Sequence, residues 1–420
     1  MQVVKYPNRS EWPELLKRPA LDSSSLENTV SAILADIKTN GDFALKKYSL
    51  MFDNIRVDSF EVTKLEISDA EKKVSKELKA AIELVKRNIE KFHLAQEEKI
   101  KVIETTKGVK CWRRSVPIEK VGLYIPGGSA PLFSTILMLG IPAKIAGCKE
   151  IILCTPASSP EILYAAKLVG ITKVFKIGGA QAIGAMAYGT ESIPKVNKIF
   201  GPGNQYVTCA KQLIQRDGIA IDMPAGPSEV AVLADKTCLP AFVAADLLSQ
   251  AEHGADSQVI LVSDSEKIIL EVEKEIAIQL AKLPRKEIAE KALKNSKAIL
   301  VKTKNEAIDL LNEYAPEHLI LACKDSDKLA GKVTNAGSVF LGNYSPESAG
   351  DYASGTNHTL PTNGYAKSYS GVSLDSFVKK ITFQKLSKEG LRKIGKAVEL
   401  MAEAEGLTAH KNAVTIRLKT

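Results

Sequence analysis

The sequence predicts an α/β fold: two Rossmann-like parallel-sheet domains, one inserted in the other, plus a small helical C-terminal tail domain. Three observations carry this expectation. Short apolar strands alternate with Gly- or Pro-rich turns and helices from Lys120 to Phe200, a second series of the same kind begins at Glu229, and the chain is helical in pattern from Leu386 onward. Strands that alternate with helices need crossover connections, which makes the sheets parallel and puts helices on their faces. At 420 residues the chain also exceeds one ordinary core.

Composition bounds the function. Hydrophobic residues make up 45% and charged ones 25%, the profile of a soluble globular protein with a sizeable core. The net charge of +8 is modest and the lysines are scattered rather than blocked, so nucleic acid is not an expected partner. Six cysteines stand singly, without a CxxC pair, and read as reduced core thiols of a cytoplasmic protein. Met1 to Ser10 has no apolar core of the signal-peptide kind. The longest uncharged run, 121–143, is broken by Pro126, Gly127, Gly128, Pro131 and Pro142, so it predicts a strand, a turn and a buried helix, not a membrane span.

Taken in order, residues 25–110 have a helical pattern, with one strand or hairpin around 55–62 and His93 as a surface residue of the longest helix. Strands follow at 121–125, 151–154, 173–177 and 198–200. Their turns are Pro126-Gly127-Gly128, Thr155-Pro156-Ala157-Ser158, Gly178-Gly179-Ala180-Gln181 and Gly201-Pro202-Gly203-Asn204. Parallel sheets bind ligands at the carboxyl ends of their strands, and Gly turns entering helices offer free N–H groups to phosphate. The stretch Gly201 to Tyr206 matches only the first half of the GxGxxG fingerprint, so structural and cofactor readings of these turns are equally supported.

The second series predicts strands at 229–233, 258–262, 298–301, 318–321 and 337–342, with helices at 241–253 and 265–283 and another stopped at Tyr314-Ala315-Pro316. A polar loop of nearly twenty residues then spans 343–361, and long loops in compact domains are usually functional or disordered. Ser387 is the expected N-cap of the C-terminal helices, the last of which, 407–417, carries His410. The expected division is a discontinuous larger domain (16–120 and 229–372), an inserted domain (121–228), a small N-terminal and linker unit (1–15 and 373–381) and a helical C-terminal domain (382–420).

In the helix at 241–253, apolar Phe242, Val243, Leu247, Leu248 and Ala251 mark one face, while Gln250 and His253 share another with Asp246 one turn before. Such a pair is more often solvated surface, and an amide oxygen is a poor zinc ligand, so metal binding needs partners elsewhere. Four of the five histidines, His253, His318, His358 and His410, lie in polar turns, helix ends or the final segment. Composition alone supports a shared site and four separate solvated histidines about equally. A catalytic zinc takes His nitrogen and carboxylate or amide oxygen, a set that Gln250, His253, Asp351 and His410 can supply. Glu317-His318, at the end of a Pro-terminated helix, offers an acid or base beside a second base.

These stretches resemble the histidinol dehydrogenase family, the zinc- and NAD-dependent enzymes of the last steps of histidine biosynthesis. The matching segments are 123–131, 178–182, 200–204, 222–228, 249–254, 316–319, 347–358 and 407–412, in order along nearly the whole chain. The resemblance implies one Zn2+ per subunit, bound by Gln250, His253, Asp351 and His410. It implies that His410 comes from the partner of a homodimer with shared active sites, so that 382–420 reaches that partner. It further implies L-histidinol held by Ser228, Gln250, His253, His318, Asp351, His358, Glu405 and His410, and NAD held on the 121–228 side by Tyr124, Gln181 and Asn204. The implied reaction oxidises alcohol to aldehyde and aldehyde to acid. His318 takes the alcohol proton, and Glu317 with His318 activates water. No cysteine lies in a matching motif, so hydration of a retained aldehyde is expected rather than a thiol nucleophile. Asp246 falls behind the ligands or on the surface. Other classes remain: a zinc hydrolase in which Glu317 activates a metal-bound water, or a non-catalytic metabolite-binding protein.

Overall fold

The computed structural model describes residues 1–19, 23–53, 56–127, 132–156 and 158–419. Ile55, Ala157 and the end of the turn expected after Ile125, from Gly128, lie outside the described residues. The chain begins with β1 (Gln2–Lys5), α1 (Trp12–Leu15), α2 (Ser23–Asp53), α3 (Lys64–Lys73), α4 (Lys76–Leu94), β2 (Ile103–Thr106) and β3 (Val109–Pro117). It continues through β4 (Lys120–Tyr124), α5 (Phe133–Ala146), β5 (Glu150–Thr155), α6 (Pro160–Val169), β6 (Lys173–Lys176), α7 (Gly179–Tyr188), β7 (Lys198–Phe200), α8 (Gln205–Ile214) and β8 (Ala220–Ile221). Then come β9 (Glu229–Ala234), α9 (Pro240–Ala251), β10 (Gln258–Ser263), α10 (Glu266–Leu280), α11 (Lys286–Lys294), β11 (Lys297–Leu300), α12 (Lys304–Tyr314) and β12 (His318–Ala322). The last are α13 (Ser326–Ala330), β13 (Ser338–Leu341), α14 (Glu347–Tyr352), β14 (Val378–Leu386), α15 (Lys388–Ala404) and α16 (Thr408–Lys419).

Two parallel sheets form the expected α/β architecture, in the order β1-β11-β10-β9-β12-β13 and β6-β5-β4-β7-β8. The second is inserted in sequence between β1 and β9 of the first. Both are buried on both faces, which is why their strands are continuous apolar runs. In the first sheet Val230, Val232, Val259 and Leu261 enter one core while Ala231, Leu233, Ile260 and Val262 enter the other, following the two-residue period of a strand. The 121–143 run becomes β4 and the buried helix α5, and among the described residues no helix is long and apolar enough to cross a membrane.

Several expectations need correction. Helices α2 to α4, assigned to the larger domain, pack on α7 and α8, on α6 and on α5 respectively, all around the second sheet. Their apolar faces, Val30, Ile33, Leu34 and Ile37 on α2 and Ile82 and Ile89 on α4, join that sheet's two cores. Residues 2–5, placed in a small N-terminal unit, pair with β11 as an edge strand of the first sheet. A third sheet, antiparallel in the order β14-β3-β2, replaces the helical pattern expected near 103–110 and takes in the first residues, 382–386, of the C-terminal domain expected to be helical. β14 runs through Leu386, and Ser387 then caps α15 by accepting the Gly390 N–H at 3.0 Å.

The strand expected at 55–62 reduces to a bridge between Glu61 and Phe175. The long loop after β13 contains α14. His93 is buried, not on the surface: it lies where α4 meets α5, with Nδ1 bonded to the Ile89 carbonyl at 3.1 Å, so a local partner satisfies the ring.

Candidate active site

A cleft of about 1000 Å³ separates the two parallel sheets. One wall comes from the carboxyl ends of β4 and β7, with Pro126 and the turn from Gly201 to Asn204. The other comes from the amino ends of β9, β10 and β12, with Ser228, Ser257 and Glu317. The carboxyl-end expectation therefore holds for the second sheet, and the first contributes its opposite end.

The glycine turn of the first wall is anchored from below. Gly201 donates its N–H to Asp222 Oδ2 at 2.8 Å and accepts from Lys211 Nζ at 2.9 Å, and Lys211 pairs with Asp222 at 2.5 Å. Asn204 caps α8, its Oδ1 accepting from Tyr206 and Val207 N–H at 3.1 and 3.2 Å, and it lines the cleft. The other two expected NAD contacts are buried and do not line it: the Tyr124 hydroxyl accepts the Gly179 N–H at 3.0 Å, and Gln181 is enclosed in α7.

The opposite wall gathers the expected metal and catalytic residues of this chain. The last turn of α9 delivers Gln250, and His253 follows just beyond it. Gln250 is 1% exposed, so it is not the solvated surface residue that its helix position allowed. From α14, Glu347 and Asp351 point to the same place, one helical turn apart. One donor atom each from His253, Glu347 and Asp351 lies within 4.8 Å of the other two. With its amide assigned so that both ends are satisfied, Gln250 donates from its nitrogen to Glu347 Oε1 and accepts from the Glu229 N–H at 2.9 Å; in the opposite placement the nitrogen donates to Glu317 Oε2 at 3.3 Å. Asp246 sits one turn behind and accepts from the backbone of Glu347, with burial pushing its carboxyl up to about 7.

His318 opens β12 and is buried between two acceptors: Nδ1 bonds the Glu229 carbonyl at 3.2 Å and Nε2 bonds Asp351 Oδ1 at 3.2 Å. Burial alone would lower its pKa, but the Glu317, Glu347 and Asp351 carboxylates outweigh it and push His318 up to about 10. Burial raises the Glu317 carboxyl to about 7 against the opposing charge of His318; its Oε2 accepts the Glu229 N–H at 2.9 Å. Asp351 is pulled below the usual carboxylate range by His318 despite burial. His358 is pushed down by burial. It donates from Nδ1 to the Asp351 carbonyl at 2.8 Å, and its Nε2 meets the Thr135 hydroxyl at 3.0 Å, the arrangement of a neutral ring.

Three carboxyl groups thus converge on one imidazole; burial pushes that of Glu347 well above the usual carboxylate range, and its Oε2 has no hydrogen-bond partner among the described residues. An excess of buried negative charge with mixed N and O donors fits a divalent cation of the zinc kind.

Sequence reasoning missed Glu347, Glu229 and Arg18. Glu347 stands four residues before Asp351, a helical spacing hidden in what reads as loop. Glu229 presents its backbone to Gln250, Glu317 and His318, while its side chain pairs with Arg18, whose guanidinium also donates to the Tyr314 carbonyl at 2.7 Å. The chain does not bring Glu405 and His410 to this wall: both are exposed, Glu405 at the end of α15 and His410 on α16, which packs on α15.

A family model described as histidinol dehydrogenase matches residues 16–418. The chain is 62% identical to the histidinol dehydrogenase of Bacteroides fragilis over all of its length and 99% of the relative. It is 54% identical to that of Escherichia coli K12 over 96% of its length and 94% of the relative. It superposes on the crystal structure of histidinol dehydrogenase from Elizabethkingia anophelis with a TM-score of 0.98 at 58% identity, covering 100% of this chain and 98% of that one. An acetylating aldehyde dehydrogenase from Geobacillus thermoglucosidasius, at TM-score 0.51 and 14% identity over 89% of this chain and 94% of that one, shares the fold alone. The chain belongs to the histidinol dehydrogenase family, NAD- and zinc-using oxidoreductases that catalyse the final steps of histidine biosynthesis.

Proposed function

We propose that this cleft carries out the four-electron oxidation of L-histidinol through L-histidinal to L-histidine, with Glu317 and His318 as its proton-handling pair. The observation that carries the assignment is the placement of His318, fixed at both ring nitrogens, beside Glu317 and bonded to Asp351, which clusters with His253. The side chains of Gln250, His253 and Asp351, with His410 of a second copy of the chain, would hold zinc, which would supply a positive charge against the carboxylates and a hold on the substrate's nitrogen donors. The glycine-turn wall, lined by Asn204 and backed by Tyr124 and Gln181, would receive NAD, which would supply the hydride acceptor for each oxidation.

His318 accepts the alcohol proton only as a neutral ring. The carboxylates that hold its extra proton are the same groups a divalent cation offsets, so a filled site leaves His318 able to act as a base. Glu317, whose carboxyl is poised near neutrality, is the group of this pair suited to take a proton from the water that hydrates the aldehyde. Ser228 lines the cleft and His358 sits beside Asp351, where both can hold the substrate.

Glu405 and His410 act from the partner subunit in this reading. Exposed Leu400, Met401, Leu407 and Ile416 on the C-terminal helices support a homodimer, since an apolar face of this kind needs covering. The cytoplasm is the proposed compartment, supported by six unpaired thiols. The zinc-loaded protein is expected to form two NADH per histidinol; no NADH from histidinol and NAD would end the proposal.

A further inference from the structure

Glu347 has no role in the reaction just described, yet it is as enclosed as Gln250, the most buried of the donors. It is 1% exposed, its Oε1 meets the Gln250 amide, and its Oε2 has no hydrogen-bond partner among the described residues. Removing an ionised carboxylate from water costs several kcal/mol and is tolerated where a compensating charge or donor is supplied. An unsatisfied oxygen in so buried a group therefore calls for a positive partner. His253 and Asp351 each place one ligand atom within 4.8 Å of a Glu347 oxygen, so a cation held among the three would be that partner.

The two helices explain the convergence. Gln250 and His253 are spaced three apart at the end of α9, Glu347 and Asp351 four apart along α14, and α9 and α14 pack together. Glu347 faces Gln250, the weakest donor of the set, and Asp351 extends the same helix face. Without Glu347 nothing holds the Gln250 amide in this placement, and it can turn over to the opposite one, in which its nitrogen donates to Glu317 Oε2 at 3.3 Å.

We propose that Glu347 is a positioning residue for the metal: it orients the Gln250 amide and adds a second carboxylate beside Asp351, and so sets how tightly the site holds zinc. The inference rests on the assignment of zinc to Gln250, His253 and Asp351. Partners of this kind are worth about 10–100-fold in metal affinity where they have been removed from other sites.

The test is a chelator-competition titration of zinc into the metal-stripped full-length protein, wild type against Glu347→Gln, with the visible spectrum of the cobalt-substituted forms recorded in parallel. Glu347→Gln keeps the size of the side chain and removes its charge, so zinc Kd is expected to rise by about 10–100-fold and the cobalt bands to shift. Glu347→Asp restores the charge at a shorter reach and is expected to recover part of the loss. A change in Kd below about threefold with an unaltered cobalt spectrum would overturn the proposal. If Glu347→Gln does not fold, Glu347→Asp is judged by the same two readings. Wild-type protein that binds no zinc would instead remove the metal assignment on which the inference depends.

Discussion

Lys211 and Asp222 form a 2.5 Å ion pair almost wholly shielded from solvent, and together they hold both backbone polar groups of Gly201. The glycine turn of the proposed NAD wall is therefore pinned by a charge pair from α8 and the segment after β8. Lys211→Met leaves Asp222 buried without its counter-charge, a change worth about 3–5 kcal/mol of stability. It is also expected to raise KM for NAD by loosening the turn. Denaturant unfolding and steady-state kinetics check both, and unchanged stability would show that Asp222 finds another partner.

Gly201 itself has φ +130°, and an added Cβ would collide with the Tyr124 carbonyl. Gly201→Ala is expected to cost at least about 1–3 kcal/mol from the backbone alone. The strain falls on the turn, so cofactor affinity should suffer with stability; a variant with wild-type NAD affinity would detach the turn from the cofactor.

The acid limb of the second oxidation should belong to Glu317. Its buried carboxyl titrates at about 7 in the metal-free chain, and a bound cation favours the carboxylate, so the limb is expected at or below pH 7. The sign follows from the role: as pH falls, Glu317 gains a proton and can no longer take one from water. Glu317→Gln should lose the limb and slow histidinal oxidation by about 10²–10⁴-fold, with a smaller loss on histidinol. Equal losses in both steps would count against this division of labour.

Cross-subunit ligation can be read by complementation. His318→Asn and His410→Asn chains are each expected to be nearly inactive. Mixed dimers should regain activity, because one of their two sites combines an intact His318 with an intact His410. No recovery in verified heterodimers would assign His410 to its own subunit.

What was legible in the chain depended on where the physical signal is local. The strands of both parallel sheets stood out because burial on both faces demands uninterrupted apolar runs such as Val259 to Val262. The stop after α12 was equally plain, with Ala315 at φ +53° before Pro316. β3 was missed because its face is largely open to solvent and its partner β14 comes from the far end of the chain, so no local alternation marks it. The amphipathic faces of α2 and α4 announced burial without saying on which sheet. His93 was misjudged because its partner is the carbonyl of its own helix at Ile89, which composition cannot reveal. Among the site residues, Gln250, His253, Glu317, His318 and Asp351 are brought together by three separate elements, whereas Glu347 was hidden in a helix too short and polar to show a period.

The cleft is assembled from opposite ends of two sheets, and in the proposed reaction each wall has its own ligand. The spent nicotinamide leaves the wall built on Gly201 and Asn204, while the half-oxidised substrate stays tethered to the wall built on His253 and Asp351. A reaction that uses two cofactor molecules on one substrate needs this unequal residence. One face turns over twice while the other waits, and a reactive aldehyde never spends time in solution where free amines would consume it.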